Sequence, residues 1–371
     1  MMIRLAAAGL TVALLGAACG GPNPDASSKG KVDETTTTTI AKGPETTASQ
    51  LRSRLTGLLQ AHVYLAGAVA ASEGRSDESS GAQAALDGNS EALAANMTAI
   101  FTGNDASVAK QFGELWKGDV SQNAGSLGAL FGSALSVPAG DVSGPLSAAG
   151  QAIGNGTNFT ALRSAAAQMG TLASTLTSGI AKKYPERVAG DPSSKAAELL
   201  TGLDSGLREH VFLASAATGA ALGGRADEFG GAKAALDANS DAVTSVIAGV
   251  YGADAGTQFA PLWKQHIDFL VEYTTAVAAK DQAKADEAMG DLLAYTEAFG
   301  AFINAASPKL AKDAVADLVK THVFTLKDVI DAQAAKNFVR AYATERTAAD
   351  HMAMMASALA GTVVAQFPDK F

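Results

Sequence analysis

The chain is expected to be all-α: two tandem, duplicated antiparallel helical bundles of four-helix-bundle or ferritin-like kind, the second complete and the first degenerate. Three observations lead there. Hydrophobic residues make up 47% of the sequence but aromatics only 6%, so Ala and Leu must fill the core. That composition suits close-packed helices, since strands favour β-branched and aromatic side chains. Apolar residues recur at i, i+3, i+4 spacing through long segments bounded by Gly and Pro. Finally, blocks of sequence occur twice in the same order.

Residues 58–66 match 206–214, 81–90 match 231–240, 111–117 match 258–264, and 163–169 match 346–352. Tyr184-Pro185-Glu186 falls on Phe367-Pro368-Asp369. The repeats are expected at 51–190 and 194–371. In this register His62 pairs with His210, Asp119 stands where the second copy has His266, and Gln168 stands where it has His351. Only 49 positions separate Asp119 from Gln168, against 85 between His266 and His351. The segment that would carry a counterpart of His322 is therefore expected to be mostly deleted, with the Gly- and Ser-rich run 121–158 as its shortened replacement. The first copy kept the scaffold and lost three of four histidines, which fits a site maintained in one half and released in the other.

Taken in order, the chain opens with a short positive segment, Met1 to Arg4, and an apolar run, Leu5 to Leu15, too short to span a bilayer. Leu15-Gly16-Ala17-Ala18-Cys19 resembles a bacterial lipobox. The resemblance implies a signal peptide over 1–18, cleavage before Cys19 and a diacylglyceryl group on its sulfur, anchoring the protein to the extracytoplasmic face of the cell membrane. An ordinary secretory leader is the alternative. Cys19 is the only cysteine, so no disulfide can close within the chain, and once lipidated it offers no thiolate ligand. Residues 19–50, rich in Thr, Ser and Pro, read as a disordered tether. In the second repeat, helices are expected over 194–222, 231–251, 254–280, 281–306, 308–334 and 336–366, with Pro308 suited to a first turn.

The net charge of −9 and the absence of a basic run argue against nucleic acid or an anionic membrane surface as partners. No nucleophile elbow, His-Glu-x-x-His or phosphate loop occurs, so no hydrolytic activity is expected. The histidines are the informative feature. Four of the five lie in the second repeat: His210, His266, His322 and His351. Each sits on or beside an apolar stripe near the middle of its helix, so antiparallel neighbours could bring all four imidazoles to one layer. Facing side chains in such a layer commonly build metal and cofactor sites.

With no thiolate, a metal would take imidazole, thioether or carboxylate ligands. Met354 and Met355 follow His351 by three and four residues, and imidazole with thioether favours copper, with zinc, iron or a bis-histidine haem as other occupants. The alternative is a cofactor-free structural or interaction module whose histidines are hydrogen-bonded core residues and whose methionines fill gaps. Glu209 and Asp350, beside two histidines, are expected at the surface or supporting the ligands. Asp237-x-Asn239-x-Asp241 opens like a calcium loop but has Ala242 and Ala248 where Gly and Glu belong. Both copies keep the pair, as Asp87/Asn89 and Asp237/Asn239, which points to capping or an interhelix hydrogen bond.

The segments around the four histidines, specifically Arg208 to Ala214, Leu262 to Thr274 and Val319 to Ala334, together with Gln366-Phe367-Pro368-Asp369-Lys370-Phe371, resemble bacterial exported helical proteins labelled copper amine oxidase N-terminal domain-containing. The resemblance implies an exported helical protein and copper. It implies no amine oxidase activity, because the Asn-Tyr-Asp/Glu sequence that forms that enzyme's quinone is missing.

Overall fold

Caps and turns divide the chain into helices much where its punctuation suggests. Thr46, Asn158, Ser194, Asp281 and Asn337 each accept a hydrogen bond from a backbone N–H in the first turn of the helix they precede, satisfying donors that no carbonyl reaches. Gly74 and Gly224, at matched positions of the two repeats, take left-handed backbone geometry after the first helix of each. The computed structural model describes residues 43–117 and 120–371. The leader, Cys19, most of the tether and Asp119 lie outside the described residues.

Among these residues the protein is all-α, with twelve α-helices and a 3-10 turn and no strand. The first repeat holds α1 (Thr47–Ala71), α2 (Ser76–Ile100), α3 (Ala106–Trp116), α4 (Ala124–Leu135), α5 (Ala139–Ile153) and α6 (Phe159–Lys183). The second holds α7 (Lys195–Leu222), α8 (Ala226–Tyr251), α9 (Ala253–Ala279), α10 (Gln282–Ala306), α11 (Lys312–Ala334) and α12 (Phe338–Gln366). Each repeat thus has six helices in the same order. The segment expected to be mostly deleted is present in shortened form: α4 and α5 have 12 and 15 residues against 25 and 23 in α10 and α11.

Three boundaries differ from expectation. α1 begins at Thr47, inside the expected tether, because Thr46 caps it and Gln50 Nε2 donates to the Pro44 carbonyl at 2.7 Å. α8 begins at Ala226, where Arg225 pairs with Glu228 at 2.7 Å across the first turn. α11 begins at Lys312, because Pro308 is held in a turn in which the Leu310 N–H donates to the Ser307 carbonyl.

The centre of the fold is the pair α1 and α7, which pack along one another where the repeats meet. α1 also touches α2 and α6, while α7 is surrounded by α8, α9, α11 and α12. α2 lies on α12, closely enough that a Cβ on Gly81 would come within 2.6 Å of the Phe338 carbonyl carbon. The two repeats share one compact unit. α12 is long and apolar enough to cross a membrane by length and composition, but its apolar face packs on α7, α11 and α2.

The repeated Asn has the same role twice. Asn89 Nδ2 donates to the Leu58 carbonyl and Asn239 Nδ2 to the Gly206 carbonyl, both at 3.0 Å, tying the second helix of each repeat to the first. Asp237 instead pairs with Lys233 along α8, so the sequence around it is a helix and not an ion loop. Replacing Asn89 with Ala is expected to cost about 0.5–1.5 kcal/mol by removing its interhelix hydrogen bond, the Leu58 carbonyl keeping its helical partner. Asn239→Ala should cost more, since Asn239 Nδ2 also donates to Glu209. Urea unfolding of the two variants checks this, and a negligible loss in both would contradict it.

Candidate functional site

The rotation of α7 about its axis is set on the side facing the first repeat. Asp204 accepts from Arg208 Nε and from Ser53 Oγ of α1, both at 2.7 Å. Arg208 Nη1 also donates to Asp350 of α12 at 2.8 Å. Glu209 accepts from Tyr64 of α1 at 2.6 Å, from Arg163 of α6 at 3.2 Å and from Asn239 of α8 at 2.7 Å. Both carboxylates flanking the histidines, Glu209 and Asp350, are therefore spent on structural bonds. With Glu209 held there, its chain neighbour His210 turns toward α9 and α11.

His210 is 0% exposed, and His266, His322 and His351 are 4%, 5% and 8% exposed. Three of the four rings meet. His210 Nε2 lies 3.3 Å from His266 Nε2, and the His210 ring centroid is 5.1 Å from that of His266 and 5.8 Å from that of His322. Trp263 packs against both His210 and His266, and Tyr295 of α10 stacks on His266 at 5.0 Å. His351 is engaged elsewhere: its Nε2 lies 3.0 Å from the Leu318 carbonyl, one turn before His322 on α11, and donates to it.

Both ring nitrogens of His322 and Nδ1 of His210 are buried without a protein partner, while the His266 ring is hydrogen-bonded to the Trp263 backbone one turn earlier. Burial holds the rings neutral. It pushes His210 well below the ordinary imidazole range, helped by the neighbouring His266, and brings His266 and His322 down to about 3, with the adjacent imidazoles adding to the effect. Neutral rings keep a lone pair free on one nitrogen each, which is the form that ligates metals.

Among the described residues no group of three or more His, Cys, Asp or Glu side chains converges as a metal site; the close approach is that of His210 and His266, with His322 beside them. Met355 is buried in the core, but Met354 is 57% exposed and takes no part. The i+3 and i+4 positions lie on opposite sides of the His351 direction, and only the i+4 side faces inward. Nor is there a gap for haem between His210 and His266, whose nitrogens are already in contact while Trp263 and Tyr295 fill the flanks. In the first repeat the His–Trp contact survives, His62 against Trp116 at 4.9 Å compared with 5.1 Å for His210 against Trp263.

Sequence reasoning missed Glu345 of α12, which is buried, with Oε2 unpartnered. The signal lay in the repeat itself, where Glu345 falls on Leu162 and Ser215 on Gly67. Comparison of the chain with protein-family models, curated proteins and solved structures finds no match.

The histidine burial has a consequence for pH. Unfolded, these rings titrate near 6.5; folded, His266 and His322 titrate near 3. Their depressed folded values mean the stability they contribute is present above pH 6.5 and lost as pH falls toward 3. Chemical denaturation of the metal-free protein over that range is expected to show falling stability, less steeply in His322→Gln. A flat profile would contradict the burial of neutral rings.

Proposed function

We propose that the protein is a membrane-tethered, extracytoplasmic lipoprotein whose second repeat binds a transition metal through His210, His266 and His322. The observation that carries this reading is the 3.3 Å separation of two buried Nε2 atoms. Two imidazole nitrogens bound at 2.0–2.1 Å to one tetrahedral ion stand about 3.3 Å apart. The unpartnered nitrogens of His322 lie alongside, and a turn of that ring would supply the third donor; His351, held by Leu318, borders the layer. An all-imidazole set accepts copper or zinc, and the Irving–Williams order favours copper(II) among divalent ions. Metal buffering or sensing outside the membrane is the role that fits a closed site with no visible catalytic group. The lipid anchor on Cys19 would hold it there.

The second reading is a cofactor-free core in which the same 3.3 Å contact is an N–H···N hydrogen bond between neutral rings. Metal analysis of untagged protein, followed by titration with Cu(II), Cu(I), Zn(II) and Fe(II), separates the two. One ion per chain is expected, with affinity reduced at least about tenfold in His210→Gln and His266→Gln and unchanged in the surface variant Met354→Ala. Wild-type protein that neither carries nor takes up any of these ions would overturn the proposal.

A further inference from the structure

A second buried polar centre lies between the repeats, about a turn and a half along α7 from His210. It surrounds a cavity of about 60 Å³ lined by α1, α2, α6, α7, α8, α11 and α12. At about 10–15 Å³ per water on this measure, the cavity has room for about four to six waters, or for a small organic ion. Its wall carries Tyr64, Phe159, Phe212, Phe338 and Tyr342. Its charges are Glu78, Glu228, Glu345 and Arg225.

The charges do not balance. Glu78 pairs with Arg75 at 2.8 Å and with Arg225 at 3.4 Å, and Arg225 pairs with Glu228 at 2.7 Å. Two guanidinium groups thus match two carboxylates, and Glu345 is left over. It bonds to Ser215, but its Oε2 is fully buried with no partner. The matched positions of the first repeat hold an apolar contact instead. In the first copy Leu162 packs on Gly67, where a Cβ would come within 3.0 Å of the Leu162 methyl carbons. The second copy has Ser215 and Glu345 at these positions, and Gln333 Nε2 donates to the Ser215 carbonyl beside them at 3.0 Å. A buried acid with one free oxygen costs stability unless something meets it.

We propose that this cavity binds a small organic monocation, its ammonium group seated on Glu345 and enclosed by the aromatic walls. Glu345 is the one acid of the cavity without a guanidinium partner, so a bound monocation would balance it once ionised, and aromatic side chains attract an alkylammonium ion through their quadrupoles. Burial raises the Glu345 carboxyl to about 8, so without a cation it is mostly protonated near neutral pH, and a bound cation favours its ionised form. Burial and then the Glu345 and Glu78 carboxylates raise the Tyr342 phenol, as a negative field in the cavity would.

Isothermal titration of the full chain with tetramethylammonium and methylammonium chloride tests this, with potassium chloride at equal ionic strength as control. Saturable binding of at least one ammonium ion is expected, weakened at least about tenfold in Glu345→Gln and lost in the double variant Ser215→Gly/Glu345→Leu. That double variant restores the first repeat's apolar pair and should fold as wild type by circular dichroism, which keeps the test valid if Glu345→Gln fails to fold. No saturable heat from either ammonium ion, equal binding of potassium, or binding undiminished by the substitutions would overturn the proposal.

Discussion

The structure depends on the clamping of α7 by charged groups buried against the first repeat. Asp204 and Arg208, with 2% and 9% of their side chains exposed, form an ion pair that also takes in Ser53 and Asp350. One residue on, Glu209 gathers Tyr64, Arg163 and Asn239 from three other helices. Removing one member of such a pair strands a charge in the interior, at a cost of about 3–5 kcal/mol. These bonds fix which face of α7 looks toward α1 and therefore which face looks toward α9 and α11. The position of His210 follows from that choice, and the imidazole cluster follows from His210.

The duplication shows how one scaffold supports two outcomes. Both repeats keep the His–Trp contact and the Asn bond between their first two helices, so neither feature requires a site. The difference lies in length. α3 stops at Trp116, while α9 runs past the matching Trp263 to Ala279 and carries His266 on the way. With α4 and α5 also short, the first repeat has, among the described residues, no long counterparts of α9, α10 and α11 beside His62. In the second, α9 and α11 are long enough to bring mid-helix imidazoles to α7 at one height. Glu345 and Ser215 are a further departure of the second repeat, made at a contact that the first keeps apolar.

Much of this was legible in the sequence. Alanine-rich periodicity and the caps placed the helices of the second repeat, and the repeated blocks exposed the duplication. The mid-helix positions brought His210, His266 and His322 together because height in an antiparallel bundle depends on distance from the helix ends. Rotation about the axis was not legible. His351 turned to the Leu318 carbonyl, and Met354 turned to solvent although it lies only three residues from a buried histidine. A spacing rule gives a face to within about half the helix circumference, and packing against a specific neighbour decides the rest. The start of α11 differs from the sequence expectation for a related reason, since Pro308 suits a first turn but equally suits the turn that Ser307 and Leu310 hold.

The central proposal is that the second repeat keeps neutral, buried imidazoles together as metal donors. Nitrogen NMR of the histidine rings in full-length protein, recorded near pH 7 before and after one equivalent of zinc, tests it most directly. The account predicts neutral rings in the metal-free protein and, on adding zinc, shifts confined to His210, His266 and His322, with His62 unchanged. Rings already charged at that pH, or a spectrum in which zinc leaves all three unmoved, would contradict it.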